Sequence, residues 1–384
     1  MRTYSYQLPT RIEFGNGVSS QVGAEASALG ATRALVITDP GVRAAGIVDP
    51  ILEHLASAGV ETIVFDDVAP NPRDTEVDAA GRMAVDEGVD LIVAVGGGSP
   101  MDTAKGAGVI QTHGGSILDW EGWGIVDKPI TPLITIPTTS GTGSEVSFWA
   151  VITDTSRHFK MSVASPLIAA RVALLDPELT LSLPRRLTAS TGMDALSHSI
   201  EAYTAAAGCP LADAFAVAGI EACGRSLRRA CTDGTDLDAR YGMMYASMVG
   251  LLAVGGSDVA GVHCMGEAIG GLYDTPHGEA MAIYLPVIAE YNLAAAPDKY
   301  ANIARLLGED VTGLATDEAA RRSVHALHKL NADLAIPTAA EVGVRRADFA
   351  RLANAAAMNL SAGSNPRPAG ENEYRALFEL AGGE

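Results

Sequence analysis

Along its first half the chain alternates short apolar runs with stretches of helical spacing. Residues 33–39 (Arg-Ala-Leu-Val-Ile-Thr-Asp) form one such run and end in the turn Asp39-Pro40-Gly41. Helical spacing follows over 51–57, then the β-branched run Glu61–Phe65, then helical spacing again over 75–87. Residues 91–95 read as a buried strand that runs straight into Gly96-Gly97-Gly98-Ser99, and 132–137 as another. Segments 151–154 and 158–163 suggest a hairpin, and 172–176 a last strand. Strand–helix alternation of this kind predicts parallel pairing in a doubly wound sheet. After Pro184 the pattern changes to Ala-rich helical periodicity, with almost no strand signal from Leu187 onward. The expected organisation is an α/β domain over 1–183 and an all-helical domain over 184–384.

Composition narrows the partners. The 384 residues suffice for two cores, and 48% hydrophobic content excludes a disordered chain. A formal charge of −19 makes nucleic acid and anionic membrane poor partners. Cys209, Cys223, Cys231 and Cys264 form no CxxC pair, which argues against a zinc ribbon or a disulfide framework. Residues 1–15 lack the apolar core of a signal peptide, and no apolar run reaches membrane-spanning length. A reducing, cytoplasmic setting is therefore expected.

Two clusters carry chemistry. In the first, a buried strand ends in glycines and a helix begins near Pro100, so backbone can approach a diphosphate and the helix N-terminus can receive it. The run is not GxGxxG, so it reads as a variant dinucleotide site; a tight turn is the competing reading. Asp39, at the end of the first strand, can take ribose hydroxyls and would repel a 2′-phosphate, favouring NAD over NADP. A turn-initiating Asp before Pro-Gly would look the same. Residues 138–145, which include Thr138 and Thr139, add hydroxyls and flexible backbone after another strand.

In the second cluster, Asp194 and His198 stand four residues apart and so share one helix face. His263 and His277 can complete the shell. One carboxylate and three imidazoles suit Fe2+ or Zn2+, and room for a substrate beside four ligands favours Fe2+.

The stretches GGGSPMDTAKG, PTTSGTGSEVS, DPELT, GMDALSHSIEAY, HCMGEAIG, TPHGEAMAIYLP and NPRP occur in one order between Gly96 and Pro368, within a resemblance that runs from about Thr3 to Ala381. In this the chain resembles the iron-containing (group III) alcohol dehydrogenases, with spacing close to the lactaldehyde and propanediol oxidoreductases. The resemblance implies a Rossmann-like α/β domain, a helical metal domain (a dehydroquinate-synthase-like architecture) and a homodimer. It also implies hydride transfer between NAD(H) and a small alcohol or aldehyde. Carried over residue by residue, it places the metal ligands at Asp194, His198, His263 and His277. The cofactor positions fall on Asp39, Gly97, Gly98, Ser99, Asp102, Thr138, Thr139 and Lys160.

Two departures stand out. Glu267 occupies the position of a histidine that faces the nicotinamide in the family, and residues 253–257 lack the usual Phe-Asn pair. Glu267 is open to four readings: a surface carboxylate, a proton acceptor, an extra metal ligand, or a contact for a cationic or hydroxyl-rich substrate. The alternative reaction on the same architecture is phosphate elimination and cyclisation of a phosphorylated substrate, as in dehydroquinate synthases. That chemistry needs a basic pocket, and the helical half has few basic residues near its motifs.

Overall fold

A computed structural model describes residues 3–383 and divides the chain into two compact units. One runs from Leu8 to Leu183; the other begins at Pro184 and includes the segment ending at Gln7. Residues 3–7, expected with the α/β domain, therefore pack with the helices instead. The Tyr6 hydroxyl donates to the Leu252 carbonyl at 2.9 Å, and its ring lies 5.8 Å from that of Phe215.

The α/β unit contains β1 (Arg11–Phe14), α1 (Val22–Ala28), β2 (Arg33–Ile37), α2 (Pro40–Ala44), α3 (Val48–Ser57), β3 (Glu61–Phe65), α4 (Asp74–Asp86), β4 (Leu91–Gly96) and α5 (Gly98–His113). It continues with β5 (Gly122–Trp123), β6 (Leu133–Pro137), β7 (Trp149–Asp154), β8 (Phe159–Ala164) and β9 (Val172–Leu175). Six strands form a parallel sheet in the order β1-β9-β6-β4-β2-β3. Alternate side chains explain why its central strands read as unbroken apolar runs. Leu35, Ile37, Ile92 and Ala94 face one core with α4 and α5 residues such as Val77 and Met101. Ala34, Val36, Leu91 and Val93 face the other, with Val22, Ile51 and Leu55 of α1 and α3. Burial on both faces removes the polar alternation that marks a half-exposed strand.

The expected hairpin is β7–β8, antiparallel and joined by β5 in a second, three-stranded sheet. The strands without a sequence signal are β1 and β5. Beta1 is an edge strand of mixed exposure, and β5 is two residues long, so neither carries a buried pattern.

The order of the large sheet positions a site. The chain moves outward from β2 to β3, then returns to place β4 on the other side of β2. Ligands of open α/β sheets sit beyond the carboxyl ends of the strands at such a reversal. Here those ends lead into Asp39 after β2, the glycine run after β4, and Thr138 after β6.

The second unit holds α6 (Arg185–Thr204), α7 (Pro210–Thr232), α8 (Leu237–Gly255), α9 (Gly261–Tyr273), α10 (His277–Asn292), α11 (Pro297–Leu306), α12 (Thr316–Leu334), α13 (Phe349–Ala357) and α14 (Glu371–Ala381). Alpha6 is buried along most of its length, with Met193, Leu196 and Ile200 in the main core. No helix among the described residues is long and apolar enough to cross a membrane.

Candidate functional site

Three helices of the second unit bring their polar residues together. Asp194 and His198 lie on α6, His263 is in the first turn of α9, and His277 is the first residue of α10. Gly278 lets α10 approach α6: a Cβ there would stand 2.3 Å from the Ser190 carbonyl oxygen. Any side chain at that point would push His277 away from Asp194.

The ligand atoms of Asp194, His263 and His277 all lie within 4.8 Å of one another. Asp194 Oδ1 is 3.4 Å from His277 Nε2 and 4.0 Å from His263 Nε2. His198 is not in that mutually close set, so the expected four-ligand shell closes here as three with a neighbour. Its Nε2 nevertheless lies 3.2 Å from His263 Nε2, and its Nδ1 is 3.9 Å from Asp194 Oδ1.

Electrostatics fit a cation. Burial pushes His198 and His263 down to about 4, so both are neutral at neutral pH and keep a lone pair for an ion. Burial alone would raise the Asp194 carboxyl, but His198, His277 and His263 hold it well below the usual carboxylate range. The cluster thus contains a carboxylate that is 1% exposed, beside the neutral imidazoles of His198 and His263. Asp194 Oδ1 and His198 Nδ1 are buried without a hydrogen-bond partner. A buried charge left unpaired is costly, and a divalent ion among these donors supplies the missing partner. Metal–nitrogen bonds of about 2.1 Å put neighbouring ligands about 3.0–3.4 Å apart, the range in which the shorter contacts fall.

Sequence reasoning missed Glu201. It is 2% exposed; one oxygen accepts the Val262 N–H at 2.7 Å and the other meets His263 Nδ1. Burial pushes its carboxyl up to about 8, with the Val262 N–H pulling the other way. The signal was present: Glu201 follows Asp194 and His198 at helical i, i+4, i+7 spacing.

Glu267 lies one turn after His263 on α9. It is half-buried, accepts from Asn359 Nδ2 at 2.7 Å, and is not among the mutually close ligand groups.

In the α/β unit, Gly97 is the N-cap of α5 and offers no side chain to its first turn, which contains Gly98 and Ser99. Those donors suit an anion. A Cβ on Gly98 would meet Thr142 Cγ2 at 2.8 Å, and one on Gly97 would meet Thr139 Oγ1 at 3.2 Å, so the hydroxyl loop closes over the glycine run. Thr138 is buried, its N–H donating to the Gly96 carbonyl at 3.0 Å. Asp39 caps α2 by accepting the Val42 N–H at 2.9 Å, and its other oxygen lies 3.3 Å from a Cβ built on Gly96. The turn-initiating role therefore occupies one oxygen of Asp39 and leaves the other toward Gly96.

Asp102 faces the protein: its oxygens accept from Ser144 Oγ at 2.7 Å and the Val151 N–H at 3.0 Å. Lys160 sits on β8, where Nζ donates to Asn71 Oδ1 at 2.7 Å; Asn71 holds a left-handed φ of 57°. Lys105, unremarked in the sequence, is wholly buried and donates to Ser144, Ser147 and Trp149, fixing the loop against α5.

The family model "iron-containing alcohol dehydrogenase" matches residues 9–177, and that of the C-terminal part of the Fe-containing alcohol dehydrogenase family matches 188–382. A choline dehydrogenase of Bacillus subtilis (strain 168) is 42% identical over 98% of this chain and 94% of its own. A 1,3-propanediol dehydrogenase of Citrobacter freundii is 42% identical over 99% of each. A crystal structure of 1,3-propanediol oxidoreductase superposes with a TM-score of 0.96 at 41% identity, covering 99% of this chain and 100% of that one. Phosphate elimination and cyclisation gains no support from these matches. The chain belongs to the iron-containing alcohol dehydrogenase family and is an oxidoreductase.

Proposed function

We propose that the chain interconverts a small primary alcohol or diol and its aldehyde with NAD(H), using a divalent ion held by Asp194, His263 and His277 with His198 beside them. The observation that carries this is the buried Asp194 oxygen without a hydrogen-bond partner, ringed by imidazole nitrogens. When bound, the metal supplies Lewis acidity toward the reacting oxygen and the nicotinamide supplies or accepts hydride. With His198 as a fourth donor, four protein donors plus substrate exceed tetrahedral coordination and favour Fe2+; the three close donors plus substrate suit Zn2+, the alternative ion.

The chain's own residues do the rest. Asp194 keeps its negative charge, and His198 and His263 keep their lone pairs at neutral pH. Gly97, Gly98 and Ser99 give the diphosphate a close backbone approach, with Thr138 and Thr139 adjoining. Asp39 takes the ribose hydroxyls. Asp102 and Lys160 support the cradle through the contacts described. A cytoplasmic setting fits four free, buried cysteines. A homodimer, as the family resemblance implies, is checked by sedimentation.

The test is metal analysis together with NAD(H) turnover on a panel of alcohols and aldehydes. About one divalent ion per chain, and turnover lost on chelation, is expected. A metal-free preparation with full activity would refute the proposal.

A second reading concerns the substrate. Glu267 follows His263 by four residues on α9 and so shares that helix face with a ligand. One relative bears the name choline dehydrogenase, and choline is a cationic alcohol. If Glu267 meets a cationic substrate, kcat/KM for choline exceeds that for 1,3-propanediol, and Glu267→Gln reverses the order. If Glu267 transfers a proton instead, Glu267→Gln lowers kcat on every substrate by about ten-fold or more. Metal content should stay unchanged in either case.

A further inference from the structure

We propose that Glu201 is a positioning residue for the metal centre: it fixes the rotation and tautomer of His263, so that Nε2 is the nitrogen offered to the ion. This rests on the metal assignment above and goes beyond it.

Glu201 bridges two elements. It leaves α6 on the face that carries Asp194 and His198, and it ends at the first turn of α9. Its Oε1 accepts the Val262 N–H at 2.7 Å, which sets the plane of the carboxylate. Its Oε2 then points at His263 Nδ1. The carboxylate also sits where a helix N-terminus favours negative charge. Alpha9 has no local side-chain cap, since Ala260 makes none, and the Gly261 N–H is taken by Asn365 Oδ1 at 3.3 Å. Caps from distant residues therefore secure the turn that bears His263.

The tautomer follows from donor counting. With Nε2 given to an ion, the one proton in the Nδ1···Oε2 contact lies on the side of the ring away from that ion, and Nε2 keeps its lone pair. Burial excludes water as a substitute partner. His198 offers a contrast, because its Nδ1 is buried without a hydrogen-bond partner. A second partner on the far nitrogen raises the basicity of a ligating histidine and holds its ring in place.

Glu201→Gln is the test, because it keeps the shape and exchanges one acceptor for a donor. The amide oxygen can satisfy Val262 or His263, not both. With the oxygen on Val262, the amide N–H2 faces Nδ1 and favours the tautomer protonated at Nε2, which cannot ligate. In protein stripped of metal and titrated with Co2+, the variant should bind about 10- to 100-fold more weakly than wild type. Its cobalt absorption bands should also shift. Wild-type affinity with unchanged bands in Glu201→Gln would overturn the inference alone. Failure of the wild type to bind Co2+ would overturn the metal assignment and this inference with it. A histidine-selective 15N spectrum of the zinc-loaded wild type needs no variant: His263 should carry its proton on Nδ1. A proton on Nε2 would overturn the inference even if the variant fails to fold.

Discussion

Lys105 and Asp194 are both buried charges, and the two units treat them differently. Around Lys105, Nζ donates to the Ser144 carbonyl and hydroxyl at 2.8 and 2.7 Å, to Ser147 Oγ at 3.0 Å and to the Trp149 carbonyl at 2.7 Å. Asp102, 3.6 Å away, has both oxygens engaged as well. That cluster is finished by the protein itself. Around Asp194 the chain assembles one carboxylate and three imidazoles, then leaves Asp194 Oδ1 and His198 Nδ1 without hydrogen-bond partners. Since buried polar groups are ordinarily satisfied, the first arrangement marks scaffold and the second marks a place for a guest.

The largest effect expected from that contrast is at Asp194. Asp194→Ala should lose the bound ion and lower turnover about 1000-fold or more, a Lewis acid being worth several kcal/mol at roughly 1.4 kcal/mol per factor of ten. Metal analysis of the purified variant, beside its kinetics, decides the point; a variant that retains both dissolves the contrast. Lys105→Met should instead act on stability, costing about 3–5 kcal/mol by stranding its buried partners. Urea unfolding measures this, and folded Lys105→Met should still bind its ion.

A smaller effect distinguishes the clusters by pH. Burial pushes Glu145, near Lys105, up from 4.5 to about 7, while Lys105 pulls it back. The folded chain therefore keeps a proton that the unfolded chain releases. This stabilisation is complete below 4.5 and is lost as pH rises through about 7. Glu145→Gln should flatten that slope in thermal melts; an unaltered profile would remove Glu145 from the account. Smallest is Asp39→Ala. Loss of the α2 cap should cost about 1 kcal/mol. In the same variant the preference for NAD(H) over NADP(H) should narrow, and a wild type that prefers NADPH would contradict the role given to Asp39.

The contrast also explains what was legible beforehand. Residues 91–95 were readable because burial on both faces demands an apolar run, and the glycines after them because a close backbone approach demands no side chain. Asp194 and His198 were readable because helical spacing is local. Lys105 was not: its acceptors, Ser144, Ser147 and Trp149, lie about forty residues on, and only the fold brings them near. Asp102 was assigned to the cofactor by resemblance, while its two protein partners, Ser144 and Val151, are equally distant in sequence. His277 could be named as a ligand from its motif. The contact that seats it, Gly278 against Ser190, joins residues in two helices and leaves no trace in either segment.

Alpha6 also governs which changes a lineage could tolerate. It carries Asp194, His198 and Glu201 on one face, and each turn takes 3.6 residues. Inserting or deleting one residue between Pro184 and Asp194 would leave the sequence of the motif intact, yet rotate all three side chains by about 100° relative to the residues before them. Two donors and the support of a third would then be misplaced in a single event. Glu267, on α9, supplies none of the mutually close donors and can be exchanged alone. Position 267 is therefore open to point substitution, while the helix that assembles the centre is closed to changes in length.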